Sequence, residues 1–484
     1  MKKIIKYLFL LTGGSFILAS CNDFLDREPL DSVTPDNFFF TENDLAAYAV
    51  KHYNFTTHEG FNAGIWKNDN ATDNQAATDY DKKWIPGQWK VPEAYDNPAS
   101  NDPWYFSAIR EANYFLETVV PRFEKGEIEG SETNIKHYIG EMYFLRAKNY
   151  LSKLETFGDF PIIKNTLPDE SESLIQASKR APRYKVAHFI LEDLDQAISL
   201  LTNNISGGKN RITKNAALLL KSRAALFEAS WLTYHKGTAL VPGGPGWPGK
   251  AEDIADFNID TEIAFFLKEA KAAAKEVIGN AALVQNTAKD CMDETVKTDE
   301  DKYKMSNPYF AQFSANSLEG YSEILMWRAY NLLDYKIVHS APFYIRVGGN
   351  TGFTRQYVES FLCRDGKPIY ATDQYKGDES LLNVRKNRDL RLQLFLMTPG
   401  ETLSPNVMNG TPDLLPEVPQ LLDITEKRCV TGYQVRKGLS GNWYRDGNTA
   451  IEGCPVYRAA EAYLNYIEAD CMEHNGTSIG SEAA

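Results

Sequence analysis

Residues 132–161 read ETNIKHYIGEMYFLRAKNYLSKLETFGDFP, and their spacing predicts the fold class. Tyr143, Ala147, Tyr150, Leu151 and Leu154 recur at three- and four-residue intervals, the pattern of a helix with one apolar face. Gly158 suits the C-terminal end of such a helix. Upstream, Ile109, Ala112, Asn113, Leu116 and Val120 share a stripe over residues 104–120, and Pro121 is expected to stop it. Downstream, residues 184–201 carry Ala187, Ile190, Leu194 and Ala197 on one face, and residues 213–232 carry Ala216, Ala217, Leu220, Ala224, Phe227 and Trp231. Small alanines opposite large rings let antiparallel helices approach closely, as stacked helix-pair repeats require. Further helices are predicted from Thr41 onward, where Glu42 and Asp44 suit an N-terminus, over residues 262–278, and over residues 454–473.

The start of the chain has a different character. Lys2, Lys3 and Lys6 precede an apolar run over residues 7–18, which closes on Leu18-Ala19-Ser20-Cys21. That order predicts a lipoprotein signal peptide over residues 1–20. The run is shorter than the roughly 20 apolar residues that span a bilayer. A leucine three residues before a cysteine, with small residues between, looks like a bacterial lipobox. Cys21 is therefore expected to be lipidated and to become the mature N-terminus, anchoring a soluble body to a membrane surface. Residues 21–41, polar and punctuated by Pro29 and Pro35, read as a tether.

The 484 residues are 43% hydrophobic and 12% aromatic, enough for a sizeable core. The formal charge of −13 becomes three units more negative without the signal-peptide lysines. This balance argues against nucleic acid and against electrostatic docking on anionic lipid. The cysteines after Cys21 show no Cys-x-x-Cys spacing and read mainly as buried small apolar residues, with one bridge left open. No His-Glu-x-x-His, Gly-x-Ser-x-Gly, phosphate-cradling loop or Cys/His metal spacing occurs, so no catalytic residue, metal or cofactor is expected.

Residues 56–103 lack helical periodicity and form a long loop insertion in the helical region 42–235. Four of the eight tryptophans, Trp66, Trp84, Trp89 and Trp104, fall within or just after it. Trp66, Trp84 and Trp89 are candidate platforms for a sugar ring, with Asn68, Asp73 and Asn74 as hydrogen-bonding partners. The competing reading is that such rings staple the loop to the core, and Trp104, which opens a helix, is assigned to the core. The oxygen-rich segment 69–74 lacks an EF-hand's central glycine and terminal glutamate and reads as a polar loop. Residues 236–484 alternate short apolar runs with turns and read as an irregular region ending in the last helix. A second candidate patch there is Trp327 and Arg328, with Tyr330, Tyr309 and Phe310 nearby; its alternative is a short buried strand through Ile324, Leu325 and Trp327. The fold class is thus mainly α, a frame of helix pairs with a loop-rich, irregular subdomain.

Several segments, in order, resemble the SusD/RagB family of outer-membrane lipoproteins. They are Cys21-Asn22-Asp23-Phe24-Leu25-Asp26, Ile109-Arg110-Glu111-Ala112-Asn113, the run from Glu141-Met142-Tyr143 to Phe160-Pro161, Asp193-Leu194-Asp195, Asp365-Gly366-Lys367-Pro368, Asn387-Arg388-Asp389 and the helix at 457–469. The resemblance implies four tetratricopeptide-like helix pairs in a surface-exposed, lipid-anchored protein of a Bacteroidetes-type outer membrane. It implies capture of oligosaccharides, or of peptides in some members, and delivery to a TonB-dependent transporter as partner. A surface-anchored glycan hydrolase is the alternative from another class. Members of that family continue beyond the helix at 457–469, so the C-terminal region is expected to be truncated. The apolar face of residues 456–473 (Ala459, Ala462, Tyr463, Tyr466, Ile467) is then expected to lack its cover.

Overall fold

The computed structural model describes residues 38–82, 85–88, 104–287, 307–334, 336–400, 402–404, 413–414, 420–423, 425–440 and 448–484. Helices dominate it. The longer ones are α1 (Glu42–Lys51), α2 (Ser107–Glu124), α3 (Glu132–Phe157), α4 (Arg183–Leu200), α5 (Lys214–Tyr234), α6 (Ile259–Asn280) and α7 (Ala459–Glu473). Helices α1 and α2 pack on α3, and each helix from α3 to α6 packs on the next, with α7 closing the series against α6 and α5. No described helix is long and apolar enough to cross a membrane.

Local chemistry sets the helix ends. Thr41 caps α1 through its hydroxyl, which accepts from the Asp44 N–H, while the Asp44 carboxylate takes the Thr41 N–H in return. Thr213 caps α5 one way only, its hydroxyl accepting from the Ala216 N–H. Helix α3 ends at Gly158, whose φ of 71° an L-residue rarely adopts. Pro121 does not stop α2. The helix runs one turn further, held by Arg122, which donates to the Phe38 carbonyl at 2.7 Å and lies over the Phe40 ring.

Helix α3 is buried on most of its circumference because neighbours flank it on several sides. At Gly140 it meets the end of α4 so closely that a Cβ would stand 3.0 Å from Leu201 and 3.1 Å from the Leu200 side chain. Alanines do similar work between α5 and α6, where Ala224, Ala225, Ala270, Ala273 and Ala274 are buried.

Buried ion pairs lock the frame. Arg146 of α3 forms two 2.7 Å bonds to Asp193 of α4 and a 2.8 Å bond to the Asn113 side chain of α2. Arg183 of α4 grips Glu228 of α5, and Arg211 grips Glu141 of α3. Burial pushes the Asp193 and Glu228 carboxyls upward, and the facing guanidiniums oppose that shift.

Among the described residues, strands occur only in two-stranded pairs. β1 (Gln75–Ala77) pairs antiparallel with β3 (Thr351–Phe353), and β2 (Ile324–Arg328) with β4 (Cys454–Arg458). The chain around residue 454 is thus a strand where a helix was expected, and α7 begins only at Ala459. The β2–β4 seam joins the first core, built from the helices, while a second core under the irregular region gathers Phe310, Phe313, Ile345, Leu394, Met397 and Val435.

Most of the apolar face of α7 is covered, contrary to expectation, with Ile467 the exposed member. Ala459, Ala462, Tyr466 and Ala469 are buried against α5 and α6; Leu464 and Ile467 remain 65% and 38% exposed. Polar contacts fix the same face: Arg223 to Glu461, and Lys271 to both Asp470 and Glu473. The expectation failed because α6 lies far off in sequence, and only the tertiary fold shows that its alanine face receives α7. Cys363, Cys429 and Cys454 are buried as free thiols, and Cys471 is a partly exposed one. Cys21, Trp84 and Trp89 lie outside the described residues.

Candidate functional site

A cleft of about 320 Å³ opens where the loop after α1 meets the irregular region. One wall is the turn Gly64–Lys67 and the residues after it, which bring Trp66, Asn68 and Asp69. The other wall comes from three short helices. Tyr309 stands on Pro308–Ala311, capped by Asn307; Tyr357 stands on Arg355–Ser360, capped by Thr354; Arg391 and Phe395 stand on Leu390–Phe395, capped by Asp389. Lys437 closes the floor from an extended segment whose Arg436 N–H bonds the Phe395 carbonyl at 2.7 Å.

The loop is held rigidly. Gln75 is buried opposite Phe353 in the β1–β3 pair, and its amide donates to the Trp66 carbonyl, Asn70 Oδ1 and Thr351 Oγ1 at 2.8, 2.9 and 2.6 Å. Buried His58 accepts from the Ile65 N–H through Nδ1 at 3.2 Å, with its ring 5.6 Å from that of Trp66. Burial, with His339 alongside, holds the His58 pKa well below the usual histidine value, so it stays a neutral acceptor. Gly438, at φ 86°, leaves room for the indole: a Cβ there would collide with Trp66 Nε1.

Trp66, Tyr309, Tyr357 and Phe361 line the cleft, are partly buried and lie on the rim of the second core, so none is fully enclosed by it. Burial and the Asp69 carboxylate raise the Tyr357 pKa, which keeps its phenol protonated. Among the described residues, Trp66 Nε1, the Asn68 and Asp69 side chains, the Tyr309 and Tyr357 hydroxyls and Lys437 Nζ make no hydrogen bond. Arg391 is taken by Asp389, with bonds of 2.6 to 3.2 Å. The cleft therefore offers ring faces beside unengaged donors and acceptors, the mixture that binds a small polar ligand with apolar patches.

Two other cavities are less balanced. One of about 530 Å³ is lined by Trp104, Phe106, Ile109, Pro161, Ile163 and neighbours and is mainly apolar. The other, about 590 Å³, is lined by Asp73, Asp79, Tyr80, Asp81 and small residues beside β1.

Of the residues singled out from sequence, Trp66, Asn68 and Tyr309 meet in the cleft. Asp73 faces the neighbouring acidic cavity, and Asn74 uses its carbonyl to accept from the Thr354 N–H. Trp327 is not a surface platform. It is 5% exposed, packs on Leu318 and Ile324 within β2, and donates from Nε1 to Glu319 at 3.1 Å. Arg328 is exposed but turns to Thr57 at 3.1 Å, away from the cleft. Trp104 packs against Phe157 and stacks on Phe160, at 4.1 and 5.7 Å between ring centres. Arg391 falls in the family-like run 387–392, whereas Tyr357, Phe395 and Lys437 carry no local signal in the sequence, since each becomes part of a site only by meeting Trp66 in space.

Residues 23–226 match a family profile described as SusD-like, starch-binding and associating with the outer membrane, and residues 295–483 match the profile of the SusD family. Two SusD-like proteins of Formosa agariphila are 27% identical over 203 residues and 26% identical over 258 residues. The aligned parts are 41% and 52% of this chain but 37% and 45% of those proteins, so the chain spans less than half the length of these curated relatives. Among solved structures, a SusD-like protein from Bacteroides fragilis superposes with a TM-score of 0.61 at 20% identity, covering 93% of this chain and 79% of its own. A SusD-like carbohydrate-binding protein from the same species gives 0.59 at 17% identity, covering 90% and 75%. At such identities the likeness speaks for the fold, a tetratricopeptide-like helical frame carrying an irregular region. The two profiles together account for most of the sequence, and the chain belongs to the SusD/RagB family.

Proposed function

We propose that this protein captures glycans in the Trp66–Tyr357 cleft without transforming them. The observation that carries the reading is the cleft itself, in which ring faces and unengaged hydrogen-bonding groups converge from two distant parts of the chain. A pyranose has C–H faces that pack on an indole or phenol ring, and hydroxyls that pair with Asn68, Asp69 and the tyrosines. Among the described lining residues Asp69 is the one carboxylate, whereas most glycosidases flank the scissile bond with two. The family description, starch-binding and outer-membrane-associated, supports the ligand class and the location. In this reading Cys21 carries the lipid anchor, the body stands on the cell surface, and the captured oligosaccharide passes to a TonB-dependent transporter.

Titration calorimetry against plant, fungal and host oligosaccharides tests the proposal. Saturable binding with no product formed is the expected result. Turnover abolished by one carboxylate substitution would replace it with the hydrolase reading, and binding of peptides alone with the peptide-capturing one. Cys21→Ala should release the protein from membranes; retention through a high-salt wash would remove the lipid anchor from the account.

A further inference from the structure

Lys437 is the least explained group in the cleft. It is partly buried, with its ammonium 4.5 Å from the Phe313 ring centre, 5.5 Å from that of Trp66 and 5.6 Å from that of Phe395. Ring faces stabilise a cation but do not replace a counter-ion. The other cations nearby are already matched: Arg391 is bonded to Asp389, and Arg458 to Glu323. Asp69 and Glu323 act on Lys437 only from beyond ion-pair distance, and no described residue accepts a hydrogen bond from it. A charge held this way in an otherwise acidic protein is costly unless something else supplies the anion.

Resting on the glycan-binding reading, we propose that the cleft selects an acidic glycan, with Lys437 Nζ receiving a carboxylate or sulfate on a sugar whose ring packs against Trp66. A neutral sugar could offer the ammonium hydroxyl acceptors but no counter-charge. An acidic one would complete a charge-assisted hydrogen bond in a partly dehydrated setting, where such bonds are stronger than in water.

The pH dependence follows from the same geometry. Burial and the neighbouring Arg458 guanidinium pull Lys437 down to about 8, while Asp69 and Glu323 oppose the shift. Arg391 stays charged, and the Tyr357 phenol, raised by burial, stays neutral over this range. A bound anion would raise the Lys437 pKa again. Affinity for an acidic glycan should therefore be full at pH 6–7 and fall as pH climbs through about 8, and affinity for a neutral one should not follow that curve.

The test uses oligogalacturonide, oligoalginate and a sulfated galactan, each beside its carboxyl-reduced or desulfated counterpart, titrated into the purified protein at pH 6.5 and 9.5. The expected result is that at least one charged member binds about tenfold or more tighter than its neutralised counterpart, the scale of one charge-assisted bond. That preference should shrink at the higher pH. In Lys437→Met the charged-to-neutral ratio should collapse, and in Lys437→Arg it should persist at pH 9.5; melting curves verify that both variants are folded. Should Lys437→Met fail to fold, the pH profile of the wild-type preference decides. Equal affinity for charged and neutralised partners overturns the charge assignment while leaving glycan capture standing. Binding of none of the panel overturns both readings. If only sulfated members discriminate, the anion is a sulfate; if only uronic members do, it is a carboxylate.

Discussion

In the helical frame, Arg146 lies between Asp193, Asn113 and the Lys164 carbonyl, and its guanidinium bonds to all three. In the irregular region, Lys437 lies among three aromatic rings with no described acceptor. Both are cations inside packed surroundings, and they serve opposite ends. The first is internally satisfied, so it fixes how α2, α3 and α4 sit together. The second leaves its capacity unused, which is what a binding group must do before its ligand arrives. A satisfied polar group builds the scaffold, and an unsatisfied one next to open ring faces points to the site.

Substitutions test whether the two cations differ in this way. The largest effect should come from Arg146→Met, which strands the buried Asp193 carboxylate and should cost about 3–5 kcal/mol in urea denaturation. That is a large share of a typical domain stability of about 5–15 kcal/mol. A loss below about 1 kcal/mol would mean that the frame does not depend on its internal pairs.

Gly438→Ala should cost about 1–3 kcal/mol, because it forces a side chain into a positive-φ position against Trp66. Glycan affinity should fall with it, since the indole must move. Unchanged affinity would detach Trp66 from the site. Trp66→Ala should itself weaken binding by roughly 1–3 kcal/mol, by analogy with bases stacked on aromatic rings. A lowered melting temperature with unaltered affinity would place that ring in the core alone.

Lys437→Met should behave in the reverse sense to Arg146→Met. A lysine whose folded pKa of about 8 lies below its ordinary value binds its proton less tightly when folded, so it subtracts from stability at neutral pH. That penalty is fully present below about pH 8 and is relieved as pH rises toward the ordinary value of 10.5. Lys437→Met should therefore melt at or above the wild-type temperature at pH 7, with the difference narrowing above pH 8. A marked destabilisation at pH 7 would make Lys437 structural, like Arg146. The smallest effect concerns α7: hydrogen-exchange protection over residues 459–473 should match that over 141–157, because most of each apolar face is covered. Fast exchange in α7 alone would show that its contacts with α6 are weak.

The parts legible in the sequence are those governed by near neighbours. The period of residues 132–157, the Thr41 cap and the Gly158 stop follow from interactions within a few residues, and the structure has them where they were expected. Even the motif residues that identify the family, Asn113, Glu141, Arg146 and Asp193, prove to be pieces of the buried ion-pair network of the frame rather than of the cleft. Where the sequence reading failed, a distant partner had decided the outcome. Trp327 looked like Trp66 in composition, but the β4 strand more than a hundred residues later buries it. Pro121 looked like a stop, but Arg122 ties the extra turn to residues 38 and 40.

The helical frame, the family and the aromatic rings in a polar loop are all readable along the chain, because periodicity, capping and ordered motifs are local properties of a sequence. Which of those rings stay open, that α7 finds a cover for most of its apolar face, and that Lys437 lines one cleft with Trp66 and Tyr357 all came from long-range packing. Burial and charge pairing depend on which residues meet across hundreds of positions, and linear spacing does not encode that meeting.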